Sequence, residues 1–447
     1  LKPLLHLEHN AFLRSTTHTS SEGLGMWRCS SWMLFAGLGI GYLLGRSRES
    51  QGGLVRQDGE IPYDLPSWPL YSMVCVVMNF LDSGTLLMPP RIRVARLTTA
   101  YFDSEVIYAL TYHRVFDAIH AETIVGEKGA TGGGMVSCSN LAGSLGMQAD
   151  ILCRYMRAAA GLGLLRMSPT DGRAARALDC RFGLTQSGHL VRADIPGSMR
   201  AFVLYINEES KSAYRSAGTS SLFSGRSGFE EAFGEEHFSW HVRHGDRQSQ
   251  FDAAMTSLTP LHVNPLLGDW SPPTTNATIC DIGGGQGHLL AKVLHRYPSA
   301  HGLVMDQPSV VNRSTAYLAS EGLDSRASAL GGSFLASLPR ELAACDVFIL
   351  KLILHDWNDP EVVTILRHIA EVARPGARLD IVDRLLGEGT RPERRDGWVM
   401  DLHMHANHAA RERTLVEFQD VFRIAGILAE VRTVKLRSIV WLLQVTL

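Results

Sequence analysis

At 447 residues the chain exceeds what one hydrophobic core usually supports, so two domains and an appendage are expected. Its 43 basic and 45 acidic side chains nearly cancel to a formal charge of -2, which leaves no global field to hold a polyanion and excludes nucleic acid as a main partner. Cys29, Cys75, Cys138, Cys153, Cys180, Cys280 and Cys345 are scattered, odd in number and without a C-x-x-C pair, a pattern of reduced thiols rather than of a zinc site.

Residues 1–95 read as an extension. They hold a Ser/Thr-rich stretch from Arg14 to Ser21 and two apolar runs. The run from Trp32 to Leu44, at roughly 13 residues, is short of the ~20 that a spanning helix needs and fits a signal-type or interfacial segment. The run from Pro69 to Met88 is longer but carries Asp82. Membrane association or organelle targeting is expected through this extension only.

Residues 96–255 form the next unit. Tyr108, Leu110, Val115, Phe116 and Ile119 recur at helical spacing and bury one helix face. A polar stretch from Ser139 to Gly146 precedes a helix from Asp150 to Leu165, then a turn at Asp171 to Arg176 and Arg181-Phe-Gly-Leu-Thr. The order helix, turn, helix, hairpin predicts a mainly α, winged-helix unit. Its second helix offers only Arg154 and Arg157 as cations, too few for the phosphate contacts of a DNA reader, so dimerisation and substrate covering are the expected roles.

Residues 256–447 alternate β-rich and helical runs. The strand candidates are Thr278 to Ile282, Gly302 to Met305, Val347 to Ile353, Arg378 to Val382, Glu430 to Leu436 and Ile439 to Val445. This rhythm predicts a doubly wound α/β fold whose mostly parallel sheet ends in an antiparallel edge hairpin. Directly after the first strand comes Asp281-Ile-Gly-Gly-Gly-Gln-Gly287, a loop whose glycines tolerate positive φ and let a ligand approach the backbone. Neither frame, from Gly283 or from Gly285, completes the G-x-G-x-x-G dinucleotide fingerprint. Asp281 repels pyrophosphate but suits the amino and sulfonium cations of S-adenosylmethionine, while Asp306, ending the second strand, is placed for ribose hydroxyls.

Further on, His355 follows a buried strand at the sheet edge where open α/β folds bind ligands. Asp281-Ile-Gly-Gly-Gly-Gln-Gly, Met305-Asp-Gln-Pro, Leu350-Lys-Leu-Ile-Leu-His-Asp-Trp, Ile381-Val-Asp383 and Arg411-Glu-Arg-Thr414, in that order, resemble the O-methyltransferase family of plant caffeic-acid and acetylserotonin methyltransferases and bacterial hydroxyneurosporene methyltransferases. The resemblance runs from about Ala100 to the C-terminus. It implies a Rossmann-like class I methyltransferase domain behind the winged-helix unit, S-adenosylmethionine as cofactor, a homodimer, and methyl transfer to a hydroxyl oxygen of a small aromatic or lipophilic molecule, an acetylserotonin or phenol type being favoured.

Carried over by position, the resemblance makes His355 the general base and Asp383 and Glu412 the acids that orient it. Asp281, Gly283, Gly285, Asp306, Ser333, Phe334 and Lys351 would contact the cofactor, and Trp357, Met404 and Asn407 the acceptor. The chain departs from the family at Ser333, where relatives often carry an acid, at Ala409-Ala410 in place of a glycine pair, and at Asp383 in place of the plant glutamate. His403, His405 and His408 suggest a metal, but on a helix 403 and 405 point to nearly opposite sides, so no metal site is expected.

Overall fold

The computed structural model of the chain describes residues 67–74, 88–127, 134–169, 180–387 and 395–447. The apolar run at Trp32 to Leu44 and the turn at Asp171 to Arg176 lie outside them. Residues 67–74, within the expected extension, dock on the C-terminal hairpin: the Tyr71 hydroxyl donates to the Ser438 carbonyl (2.9 Å) and the Arg437 guanidinium lies 5.7 Å from the Trp68 ring centre. No helix among the described residues is long and apolar enough to cross a membrane.

Helix α1 (Pro90–Thr99) buries none of its residues. The expected single face from Tyr108 to Ile119 is instead broken between α2 (Tyr101–Tyr112) and α3 (Val115–Glu127) at Arg114, whose φ is 58°. Leu110, Val115, Phe116 and Ile119 still share one core. The stretch read as polar from Ser139 is also helical: in α4 (Cys138–Ser144) the buried Cys138, Leu141 and Ala142 form an inner face that outweighs the polar composition. Then follows α5 (Ala149–Gly161), and an antiparallel sheet in the spatial order β1 (Val136–Ser137), β3 (Cys180–Leu184), β2 (Leu165–Pro169) completes this unit.

A helical run over 200–224 (α6) contains two π-turns, Ile206–Ser210 and Ala217–Ser221, a feature frequent near functional sites. Next come α7 (Gly228–Phe233), α8 (His237–Arg243), α9 (Gly245–Ser257) and α10 (Thr259–Asp269). The start of α7 is fixed by a capping box between Ser227 and Glu230, and its end by Gly234 at φ 79°.

The large sheet comprises β4 (Thr278–Ile282), β5 (His301–Asp306), β6 (Ala327–Gly331), β7 (Val347–Lys351), β8 (Arg378–Asp383), β11 (Arg432–Lys435) and β12 (Trp441–Thr446), in the order β11-β12-β8-β7-β4-β5-β6. From β8 to β6 all pairs are parallel, and β12 runs antiparallel to both β8 and β11, as expected. The edge strand β6 was not among the sequence candidates. Period-two alternation divides β7 between two cores: Phe348 and Leu350 pack on one face of the sheet, Val347 and Ile349 on the other. Each such buried side chain contributes about 1.5–3 kcal/mol. The faces are covered by α11 (His288–Arg296), α12 (Pro308–Ser320), α13 (Asp359–Val372) and α15 (Leu415–Ala425), while α14 (Arg395–His408) follows β8 and a two-residue strand β9 (Leu385–Leu386). Because β4 has β5 on one side and β7 on the other, the loops after β4 and β7 flank the point where strand order reverses, where such sheets open a ligand crevice.

The expectation of scattered thiols needs correction. The fold brings Cys138 to Cys153 across α4 and α5 and Cys280 to Cys345 across β4 and the approach to β7, with Cα separations of 5.7 and 5.9 Å that permit disulfides. Pairs 15 and 65 residues apart carry no local motif.

Candidate active site

The loop after β4 is built as its glycines predict. Gly283, Gly285 and Gly287 have φ of 70°, 57° and 88°. A Cβ at Gly283 would meet Ile353 Cδ1 at 2.6 Å and one at Gly284 would meet Asp281 at 2.6 Å, so these two pack against protein. A Cβ at Gly285 would meet nothing within 4 Å, so the open face of the bend lies there. The Gly285 N–H donates to Asp306 Oδ2 (2.8 Å), which brings the acid of β5 onto the same bend.

Asp281 is buried, which raises its carboxyl to about 7 against the opposing pull of Lys351, and its Oδ2 has no hydrogen-bond partner. Burial pushes the Lys351 amine down, with Asp281 and Asp383 as its nearest counter-charges. Phe334 lies 3.5 Å from the position a Cβ at Gly283 would take. The Ser333 hydroxyl accepts the Leu335 N–H (3.3 Å), so at the position of the family's acid it caps its own turn. A buried carboxylate with one unpartnered oxygen, a second acid and an open glycine bend fit a cationic nucleoside such as S-adenosylmethionine and oppose a diphosphate. In that fit Asp281 would hold the amino group and Asp306 the ribose, with Phe334 beside the bend.

Beyond β7, Leu352 takes φ 55°, a left-handed conformation rare for a branched side chain, and its N–H is held by the Val382 carbonyl (2.9 Å). The turn that follows is clamped by Arg413, which is buried: Nη1 donates to the Leu354 carbonyl (2.8 Å), Nη2 to the Trp357 carbonyl (2.7 Å), and Nε and Nη2 to Asp359 Oδ1 (3.0 and 2.8 Å). Inside this clamp, His355 Nδ1 lies 3.3 Å from both Asp383 Oδ1 and Glu412 Oε1, and Nε2 lies 3.5 Å from Asp356 Oδ1. Asp383 ends β8 and accepts the Arg384 N–H (2.9 Å). Glu412 is held because β9 pairs with β10 (Arg413–Thr414) and because its N–H donates to Asp401 (2.9 Å). Both acids are buried, Asp383 at the end of its strand and Glu412 beside the imidazole.

Burial alone would lower the His355 imidazole, but Asp383, Asp356 and Glu412 outweigh it and raise the group to about 10. Burial lifts Asp356 to about 7 and Asp383 to about 6, each opposed by His355. The three carboxylates thus make this imidazole a stronger base than an ordinary histidine, protonated at neutral pH. His355, Asp383 and Glu412 also form the one group of three metal-type ligands that converges among the described residues, whereas His403, His405 and His408 do not converge.

Trp357 and Phe238 are stacked at 6.4 Å with 17° between planes, and Phe334 meets Trp357 edge-on at 5.6 Å, so an aromatic cluster adjoins the turn that carries His355. Met404 and Asn407 are buried on α14; the Asn407 amide donates to the His403 carbonyl (3.0 Å) and leaves Oδ1 without a partner. Asp356 and Arg413 escaped the sequence reading, although both lie inside its quoted motifs. A separate cleft of about 380 Å³, lined by Gln286, His288, Asp252 and Arg313, opens beyond the far end of the glycine loop rather than over His355.

Fold, glycine bend and acids together define a class I, S-adenosylmethionine-dependent methyltransferase. A family model described as an O-methyltransferase domain matches residues 218–428. Phenazine O-methyltransferase PhzM of Lysobacter antibioticus is 32% identical over 292 residues, 65% of this chain and 80% of that protein. An 8-amino-8-demethylriboflavin N,N-dimethyltransferase of Streptomyces davaonensis is also 32% identical, over 64% of this chain and 79% of its own. The crystal structure of LaPhzM superposes with a TM-score of 0.68 at 28% identity, covering 80% of this chain and 99% of that one. The chain belongs to the S-adenosylmethionine-dependent O-methyltransferase family.

Proposed function

We propose that the protein methylates a hydroxyl oxygen of a small aromatic or lipophilic acceptor, a phenol of the acetylserotonin kind being favoured, with His355 as the base and Asp383 and Glu412 orienting it. The contact of His355 Nδ1 with both carboxylates at 3.3 Å, in the crevice beside the glycine bend, carries this reading. With Nδ1 engaged, Nε2 faces the acceptor and Asp356. When bound, S-adenosylmethionine supplies a methyl group on a sulfonium centre.

A phenol has a pKa of about 10, close to that of His355 in this site. The raised basicity lets the ring take the acceptor's proton: the acceptor either gives it to a ring that has released its own to solvent, or enters as phenolate against the imidazolium. Both routes lose one proton before methyl transfer. An arylamine needs no base before attack, so three carboxylates around one imidazole favour oxygen over nitrogen, although relatives include N-methyltransferases. The exposed apolar side chains of α1 and α2, among them Ile92, Val94, Leu97 and Phe102, support a homodimer through the winged-helix unit, measurable by sedimentation.

The decisive variants are His355→Ala and His355→Gln, assayed with hydroxylated aromatics and labelled cofactor. Turnover should fall by about 10²–10⁴-fold while calorimetric affinity for S-adenosylmethionine stays within about twofold. Undiminished turnover would remove His355 from the chemistry. Loss of turnover on chelation, restored by a divalent ion, would reassign the three residues as metal ligands.

A further inference from the structure

The helices packed around Phe238 contain three imidazoles that the proposed chemistry does not use. His237 and His241 stand one turn apart on α8 with ring centres 4.2 Å apart, and His408, at the end of α14, lies 4.3 Å from His237 and 5.1 Å from Phe238. Since Phe238 stacks on Trp357, the cluster is continuous with the turn that carries His355.

Each ring has one nitrogen sealed from water without a partner: Nδ1 of His237, Nε2 of His241 and Nδ1 of His408. Buried polar atoms are rarely left so. The protonation of His241 follows from its other contact. Its Nδ1 lies 2.9 Å from the His237 carbonyl, which can only accept, so Nδ1 carries the hydrogen and Nε2 presents a lone pair that needs a donor. His237 Nε2 lies 3.1 Å from the Tyr205 hydroxyl, so its Nδ1 donates or accepts according to how that hydroxyl turns. Burial lowers all three rings, further helped for His237 and His408 by neighbouring imidazoles, and keeps them neutral.

A carboxylate offers no donor to the lone pair of His241, and an ammonium finds no counter-charge among neutral rings. A hydroxyl both donates and accepts, and fits. We propose that His237, His241 and His408 form a hydrogen-bonding subsite for a second hydroxyl of the aromatic acceptor, distinct from the one methylated at His355. The ring between the two hydroxyls packs against the edge of the Phe238–Trp357 pair, whose centres 6.4 Å apart leave no gap for a third ring. This rests on the reading of His355 as the methylation centre.

The test compares 2-naphthol with the dihydroxynaphthalene isomers, which vary the spacing of the second hydroxyl. With wild-type protein, at least one isomer should exceed 2-naphthol in kcat/KM by about tenfold or more, because a site built to bond a hydroxyl rejects the analogue without it. His241→Phe and His408→Phe should each reduce that ratio to within about threefold of unity. A merely structural role would lower both substrates together and leave the ratio intact, which would overturn the subsite. Calorimetry of the same probes on wild-type protein saturated with S-adenosylhomocysteine needs no variant to fold. Equal affinities for all of them would mean that the orphan nitrogens bind structural water, and would also overturn it. Preferential binding of one isomer without methylation of any probe would uphold the subsite and count against the proposed hydroxyl transfer instead.

Discussion

Along the proposed cofactor side of the crevice, Asp281, the glycine bend and Asp306 come from one strand, one loop and the next strand, with Ile353 and Lys351 of the neighbouring β7 segment packed against them. The acceptor side draws His355 from the end of β7, Glu412 from 57 residues further on, Asn407 from α14 and Phe238 from α8. Local backbone geometry shapes the first side, so its substitutions should act mainly on cofactor affinity. Tertiary clamps assemble the second, so its substitutions should act mainly on turnover and on folding. The two sides also differ in charge: an acid awaits a cation on one, while a protonated imidazole sits among three acids on the other.

The largest expected effect comes from pH. A His355 of ordinary basicity would give kcat/KM a plateau above about pH 7. With the group raised to about 10, either the imidazolium or the phenol must lose one proton first, so kcat/KM for a phenol should rise by about tenfold per unit, roughly a thousandfold between pH 6 and 9. A plateau reached near neutrality would show that the three carboxylates do not hold the proton on the ring. Next in size is Arg413→Ala, which leaves the Leu354 and Trp357 carbonyls unpaired and should destabilise the fold by about 3 kcal/mol in denaturant titration, with turnover lost and cofactor affinity retained in the folded fraction. Arg413→Lys cannot reproduce the fork and should recover little. An equal loss of cofactor affinity would dissolve the distinction between the two sides.

On the cofactor side the corresponding variant is Asp281→Asn. A cation binds the ionised carboxylate, and burial raises this one to about 7, so affinity for S-adenosylmethionine should climb with pH up to about 7 and level off above 8. The substitution should weaken binding by about tenfold or more and abolish that slope. A slope that persists in Asp281→Asn would belong to Asp306, whose carboxyl burial also raises.

The cofactor side was legible in the sequence because its signal is contiguous: β-rich run, acid, glycines, helix, then a second strand ending in an acid. His355, Asp383 and Glu412 were legible only as a resemblance, since nothing in a strand-end aspartate or an Arg-Glu-Arg-Thr run shows that β9 and β10 will pair and deliver the glutamate to the imidazole. Arg413 went unread for the same reason. Strand β6 (Ala-Ser-Ala-Leu-Gly) went unread because it is a partly exposed edge strand without the β-branched residues that mark a strand. The helix at Cys138 was hidden by its serines and asparagine, and the break at Arg114 by a helical spacing that continues across it. The imidazole cluster joins positions 237, 241 and 408, a meeting that depends on how α8 and α14 pack.

The smallest effect tests whether the acceptor side stores backbone strain. Ala409, at the position where the family resemblance leads one to expect glycine, follows α14 with φ 54°, and its N–H is still bonded to the His405 carbonyl (3.1 Å). A left-handed non-glycine residue costs about 1–2 kcal/mol, part of which a glycine forfeits through the greater freedom of the unfolded chain. Ala409→Gly should therefore stabilise the protein by about 0.5–1 kcal/mol in denaturant titration. Its neighbour Ala410 is buried and lies outside the left-handed region, so Ala410→Gly should destabilise by about as much, through lost packing and added unfolded-state entropy. Opposite signs at adjacent alanines would locate the strain at one residue of the acceptor wall, while two losses would mean that the end of α14 is relaxed as it stands.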